Sequence, residues 1–364
     1  MDIGLIIYGR LDTLTGGYIY DRILVEHLRR HGHRVDVISL PRAVDARQLL
    51  DNFSKKLWLR LVSTDCELLL QDGLNHPSLF RMNHRLRAIS NIPTVALVHQ
   101  VKCRQPSNGI LNRLYEAVER PYFNSVDAFI FNSVTTRRTV ERLTDRRQPS
   151  IVAFPAGDRL GCLASADQIG SRARSPGPLR LIFVGNVLPN KGLLSLLQAL
   201  RKLSRRTWHL TVVGSLDMHR RYVRKVKKLI AVENLQHQAA LVGPRDGPEL
   251  ASLLSRSHVF VMPYSHEGFG MAHLEAMGFG LPVVGSAGGA VKEYVIPEQN
   301  GYLIEPADVE KTAVCLKRLN DDRQLLIKLS RAALQTFHKH PRWIDTAKTV
   351  DRFLSDLTDR KGNG

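Results

Sequence analysis

Short runs of consecutive apolar residues recur along the chain, each followed by a stretch with helical spacing. Residues 3–8 read as a strand. After Gly16-Gly17, an amphipathic helix runs to His31 and closes at Gly32, and residues 34–39 read as the next strand. Further runs lie at 67–70, 94–98, 128–131 and 151–154. Continuous apolar runs between helices predict parallel strands covered on both faces. Residues 156–178 break the rhythm. They are rich in Gly, Ser, Ala and Arg, and their composition predicts a linker. The alternation then restarts, with strand-like runs at 181–184, 210–213, 239–242, 259–262, 283–284 and 302–304.

This rhythm predicts an α/β chain of two Rossmann-like domains in tandem, facing each other across a cleft. Domain boundaries fall at 1–165 and 175–340, with a closing helix at 341–364. A length of 364 residues agrees with two domains, each able to bury its own core. In sheets of this kind ligands sit outside the carboxyl ends of the strands, so the strand-to-helix loops carry the candidate chemistry.

Composition narrows the classes. Apolar residues are 43% and charged residues 24%, which excludes a disordered or fibrous chain. No apolar run approaches the roughly 18 residues that a membrane span needs. The first ten residues, MDIGLIIYGR, lack the basic start and the length of a secretory signal. Cys66, Cys103, Cys162 and Cys315 are scattered, without metal-binding spacing. A reduced, cytoplasmic protein is the expectation. The net charge of +18 adds an anionic partner: nucleic acid, an acidic lipid surface or a phosphorylated small molecule. No stretch resembles a nucleic-acid recognition motif, and the aromatic residues do not cluster as stacking platforms, so nucleic acid is not expected.

The most informative segment is SHEGFGMAHLEAMGFGLPVVGSAGG, residues 265–289. Glu267 lies in a strand-to-helix loop and Glu275 on the helix that follows. Eight positions along a helix is about 12 Å of rise. That exceeds the ~5–9.5 Å of a glycosidase carboxylate pair, so two separate jobs are expected. Small residues beside Glu267 let backbone N–H groups approach an anion or a sugar hydroxyl.

The run E-G-F-G-x4-E-A-x3-G-x-P-V-V resembles the signature of retaining GT-B glycosyltransferases of family 4, the glycosyl transferases group 1. Gly16-Gly17 resembles that family's N-terminal glycine loop. LIFVGNVLPNKG (181–192) resembles its phosphate-binding loop, and Asn300-Gly301 with Ile304-Glu305-Pro306 resembles a further run. The helix after Pro341 resembles the one that returns to the N-terminal domain.

The resemblance implies a hexosyltransferase that moves a sugar from a nucleotide diphosphate sugar to an acceptor. A lipid-linked or polysaccharide intermediate is the expected acceptor; a small soluble acceptor and a degenerate, non-catalytic binding protein are the alternatives. It implies His99, Lys191 and Glu267 at the reacting centre. Donor contacts would come from Gly16, Gly17, Asn186, Gly268, Phe269, Gly270, Met271 and Glu275, with Glu275 on the ribose. The family usually has Arg where this chain has Asn186, so one cationic contact to the diphosphate is missing. No DxD pair is present: Asp65-Cys66-Glu67 leads into a strand, and neither a metal nor a cofactor is expected. His273, six positions after Glu267, is expected to pack, and Asn132-Ser133 to cap a helix.

SKKLWLRLV (54–62) and residues 102–123 interleave basic and apolar side chains. An exposed helix of this kind suits the anionic inner face of a membrane, with Trp58 as the inserting ring. It equally suits a helix packed on its own sheet. HRRYVRKVKK (219–228) reads as a solvated helix face.

Overall fold

The computed structural model describes residues 1–41, 45–105, 109–161 and 164–362, without the side chains of 45, 46 and 360–362. Cys162 and residues 106–108 of the second basic stretch therefore lie outside the described residues.

The chain forms two compact units. One comprises Met1–Pro155 and Trp343–Gly364, the other Ala156–Arg342. Among the described residues each holds one six-stranded parallel sheet. The first has the order β2-β1-β3-β4-β5-β6, with β1 Asp2–Tyr8, β2 Arg34–Leu40, β3 Leu68–Asp72, β4 Thr94–Val98, β5 Ala128–Phe131 and β6 Ser150–Val152. The second has the order β12-β11-β10-β7-β8-β9, with β7 Leu179–Val184, β8 Trp208–Val213, β9 Ala239–Gly243, β10 Val259–Met262, β11 Val283–Ser286 and β12 Gly301–Ile304. Every residue of β3, β4 and β10 is buried, as expected of strands covered by helices on both faces. In register, Leu5 of β1 faces Val37 on one side and Leu70 on the other.

Helix Trp343–Gly362 belongs to the first unit and lies against helix Gly16–Arg30. Asp351 accepts from His33 Nε2 at 2.8 Å, Thr346 donates to the Phe154 carbonyl at 2.6 Å, and the Trp343 ring meets Tyr20 edge-on.

Residues 156–178 are not a linker. They contain the turn Asp158–Leu160 and helix Ala166–Arg174, which opens on a capping box of Ser165 and Gln168. The helix buries Ile169, Gly170 and Ala173 and packs on helix Arg323–Lys339. Its small residues form a close-packing face, so a composition that resembled a linker belongs to the second unit. The second unit therefore begins at Ala156 rather than 175, and the first leaves off at Pro155 rather than 165.

Helix Lys55–Val62 buries Leu57 and Leu61. The Trp58 ring is packed on the same core, with the Arg85 guanidinium 4.1 Å above it. Trp58 is thus half-buried, with part of its surface taken up by the core and by Arg85. The exposed apolar residues here are Leu50, Phe53, Leu59 and Val62. Helix Arg220–Val232 is amphipathic, burying Tyr222, Val223, Val226 and Ile230 and turning its cations to solvent. Among the described residues no helix is long and apolar enough to cross a membrane.

Candidate functional site

In the second sheet the strand order reverses between β7 and β10, the topological switch point where open α/β sheets hold ligands. The loops leaving these two strands are fastened together. The Ser265 N–H donates to the Asn190 carbonyl at 2.8 Å, and the Lys191 ammonium sits on the Glu267 carboxylate. Two residues that sequence assigned to separate jobs are therefore an ion pair here. Lys191 holds the Glu267 carboxyl below its ordinary range, overriding burial, which pushes it up.

The Glu267 backbone is clamped from the loop after β11. Its N–H donates to the Gly288 carbonyl at 3.2 Å and its carbonyl accepts from Ala290 at 3.3 Å. Gly268 and Phe269 lead to Gly270, whose φ of +91° turns the chain into helix Met271–Gly278. A Cβ there would lie 2.6 Å from Val291 Cγ2, so only glycine fits. The Tyr294 hydroxyl lies 3.0 and 2.9 Å from the Phe269 and Gly270 carbonyl oxygens and holds this corner. The N–H groups of the first turn point out of the helix's N-terminal end, where an anion is favoured.

Glu275 lies one turn further on and is 3% exposed. Its partner is Arg159, not Lys191: Arg159 Nε and Nη2 lie 2.5 and 3.2 Å from its two oxygens, and Nη1 sits on Asp246. Asn186 follows β7, but its Oδ1 accepts the Ser215 N–H at 3.0 Å, so this side chain ties the loops after β7 and β8 together. His273 packs against the Phe260 and Tyr264 rings, and burial lowers its pKa to about 4. It packs as expected. Burial also lowers His266.

The first unit repeats the logic at its own switch point, between β1 and β3. Gly16 and Gly17 open helix Gly16–Arg30 after β1, Asp72 ends β3, and His99 follows β4. A Cβ on Gly17 would lie 3.1 Å from His99 Cδ2, so the glycine loop and the histidine are neighbours. His99 Nε2 is 2.8 Å from Asp21 Oδ1. Burial lowers the imidazole pKa, but the carboxylates of Asp21 and Asp72 outweigh it and the net shift is upward. Burial, then Asp21, raises Asp72 to about 6. The Asn132 amide donates to the His99 carbonyl at 2.7 Å, and Ser133 caps helix Val134–Glu141.

Sequence reasoning missed Asp21, Asp72, Arg159 and Asp246. Asp21 had a signal, being one helical turn after Gly17. Asp72 had one too, at the carboxyl end of a strand. Arg159 had none, since it lay in the apparent linker. Asp65 and Glu67 are structural as expected: Glu67 accepts the Asp2 N–H at 2.7 Å, and the Asp65 carbonyl accepts from Arg34. Among the described residues no three His, Cys, Asp or Glu side chains form a metal-holding group.

Residues 166–336, which include Lys191 and both glutamates, match the family model described as Glycosyl transferases group 1. This domain, just under half of the chain, is similar to the group 1 glycosyltransferases. The chain is 28% identical to a glycogen synthase of Mycobacterium tuberculosis over 274 residues, 74% of this chain and 63% of that one. It is 29% identical to a D-inositol 3-phosphate glycosyltransferase of Pseudarthrobacter chlorophenolicus over 162 residues, 43% of this chain and 38% of that one. The chain thus spans less than two thirds of the length of these relatives.

Solved structures show the fold over the whole length. A sucrose-phosphate synthase from Thermosynechococcus elongatus superposes with a TM-score of 0.83 at 21% identity, covering 99% of both chains. Anabaena HepE, in a complex with UDP-glucose, gives 0.78 at 17% identity, over 98% of this chain and 100% of that one. The fold is GT-B, as the resemblance implied.

Proposed function

We propose that this chain transfers a sugar from a nucleoside diphosphate sugar to an acceptor, with retention of anomeric configuration. The observation that carries the reading is the Lys191–Glu267 pair at the switch point of the second sheet, in the loop that leads into the helix of Glu275. HepE, which shares the fold, was solved with UDP-glucose.

In the proposed reaction the bond between the anomeric carbon and the β-phosphate oxygen breaks, and the electron pair leaves with the diphosphate. The acceptor oxygen bonds to the anomeric carbon, and its proton passes to the leaving phosphate oxygen. Negative charge grows on the diphosphate and positive character on the sugar ring. Fixed donors placed where the negative charge develops lower that barrier. Lys191 and the N–H groups of Phe269, Gly270 and Met271 are the donors of the second unit, and Gly16 and Gly17 supply those of the first. Glu267 holds sugar hydroxyls, Glu275 holds the ribose, and His99 lies at the transferred sugar. Asn186 contributes hydrogen bonding but no charge. Lys191 and the backbone do the electrostatic work without a metal or a cofactor.

Incubation with UDP-, GDP- and ADP-sugars in excess EDTA tests this. Release of nucleoside diphosphate from one of them is expected, with the sugar anomer preserved in the product. No turnover of, or binding to, any of them would leave a non-catalytic GT-B protein as the reading. Activity abolished by EDTA and restored by Mg²⁺ would overturn metal independence.

The acceptor side carries a second proposal, a lipid-linked acceptor at an anionic, cytoplasmic membrane face. Leu50, Phe53, Leu59 and Val62 are 66%, 66%, 55% and 45% exposed, among Lys55, Lys56, Arg60, Arg81 and Arg85. Each cation near such a surface contributes about 1 kcal/mol, screened by salt. Sedimentation with phosphatidylglycerol vesicles should show binding that replacement of Lys55, Lys56 and Arg60 by Glu removes. Equal binding to neutral vesicles, or none at low salt, favours a small soluble acceptor.

A further inference from the structure

The Glu275 carboxylate is the most enclosed acid of the second half-site, and its cation comes from outside the family-matched domain. Arg159 lies on the turn Asp158–Leu160, upstream of residue 166. It approaches Glu275 side-on, with Nε at 2.5 Å from one oxygen and Nη2 at 3.2 Å from the other. Its remaining arm, Nη1, is held by Asp246, which precedes helix Gly247–Arg256. The guanidinium is itself 16% exposed, bridging two carboxylates on elements far apart in sequence.

We infer that Arg159 is a positioning residue for the nucleotide: it fixes the orientation of the Glu275 carboxylate toward the ribose. The inference rests on the proposed function, in which Glu275 takes the ribose.

A carboxylate offers about four lone-pair sites. The side-on fork takes one from each oxygen and leaves one on each for two vicinal hydroxyls. Arg suits this because its planar fork matches a carboxylate in two places at once, which an ammonium cannot do. Asp246 holds the third arm, so the fork cannot swing with the ligand. The groups facing Glu275 are Arg159 and Asp246. Burial raises the Glu275 pKa, Arg159 lowers it, and Asp246 raises it, with a net upward shift. Removing the guanidinium takes away the group that lowers the Glu275 pKa and leaves burial and Asp246, which raise it. A protonated carboxyl loses acceptor capacity toward two hydroxyls.

A competing arrangement makes Arg159 a plug that leaves when the nucleotide enters. The two differ in sign, because removing a plug tightens binding and removing a positioning residue weakens it.

The test is calorimetric titration of the full chain with UDP, and with GDP and ADP in parallel, against the 2′,3′-dideoxy forms. Thermal unfolding of each variant checks that it is folded. Arg159→Leu should weaken binding of the ribonucleotide about tenfold or more at pH 7, in keeping with loss of charge-assisted hydrogen bonds. The deficit should widen at pH 6 and narrow at pH 8.5. Discrimination against the dideoxy form should shrink with it. Arg159→Lys should recover the flat pH response and only part of the affinity, and it serves as the second variant if Arg159→Leu does not fold.

In the Glu275→Gln background, Arg159→Leu should add nothing further to ribose discrimination. Tighter binding by Arg159→Leu, or unchanged affinity with discrimination and pH response intact, would overturn the inference. A wild-type protein indifferent to the ribose hydroxyls, together with a silent Glu275→Gln, would instead defeat the assignment of Glu275 itself.

Discussion

The two units solve one problem in different ways. Each holds acidic side chains at the carboxyl ends of its parallel strands, in or beside buried surroundings. The second unit opposes its acids with permanent cations, Lys191 for Glu267 and Arg159 for Glu275. The first opposes Asp21 and Asp72 with His99, whose charge depends on pH. Asp21 Oδ2 is buried without a hydrogen-bond partner among the described residues. The difference is one of pH response: the second unit's pairs carry permanent cations, and the first unit's cation titrates.

The largest expected effect comes from erasing the difference. Lys191→Ala should lower kcat by about a hundredfold or more, the loss typical of one transition-state donor. It should also turn Glu267 into a titrating acid, since burial alone raises its pKa, so the residual activity should gain an acidic limb that the wild type lacks. A fall in kcat with an unchanged pH profile would separate Lys191 from Glu267.

The second effect is on stability, and its sign differs between the units. Burial depresses His258 to about 3 and His273 to about 4, so both stay neutral in the folded second unit. Their stabilisation is present above the unfolded histidine pKa and is lost as pH falls towards these values. By pH 5 this amounts to about 2 kcal/mol for each. Asp72 in the first unit is raised to about 6. Its stabilisation is present at low pH and is lost as pH rises through that value, so acidification from pH 7 to 5 contributes about 1 kcal/mol in favour of the fold. His27, depressed by burial, works against this in the first unit, and Glu275, raised by burial, works against the loss in the second. Hydrogen exchange read region by region should show the second unit losing more protection between pH 7 and 5. Equal loss in both units would break the comparison.

A smaller effect concerns His99 itself. Asp21→Asn removes the main charge that raises its pKa and leaves burial to lower it. The ring titration, followed by nuclear magnetic resonance, should move to lower pH, while nucleotide affinity in the second unit stays the same. An unmoved titration would mean that Asp72 alone sets the imidazole.

The smallest change is Gly17→Ala. The new Cβ would meet the edge of the His99 ring at 3.1 Å, and the ring must yield by a few tenths of an ångström. Stability should change by less than about 1 kcal/mol, as for a tight but adjustable contact. The His99 resonance should nevertheless shift, because the two residues touch.

What the sequence determined alone is what local pattern encodes. Continuous apolar runs marked the strands of both sheets, with edges displaced by a residue or two, because a strand covered on both faces must be apolar throughout. The segment from Glu267 to Glu275 was legible because glycine at a positive φ, a loop and a helix start follow each other within a few residues. Packing decided the rest. Helix Ala166–Arg174 looked like a linker until its small face met helix Arg323–Lys339. The sequence left Trp58 open between a membrane face and the protein's own core, and the fold packs the ring partly on that core beneath Arg85. Arg159 meets Glu275 across 116 residues and Asp246 across 87, and His99 meets Asp21 across 78. Such pairings leave no periodicity in the chain, because the fold that brings the charges together is assembled from apolar burial, which is indifferent to which distant charge arrives beside which.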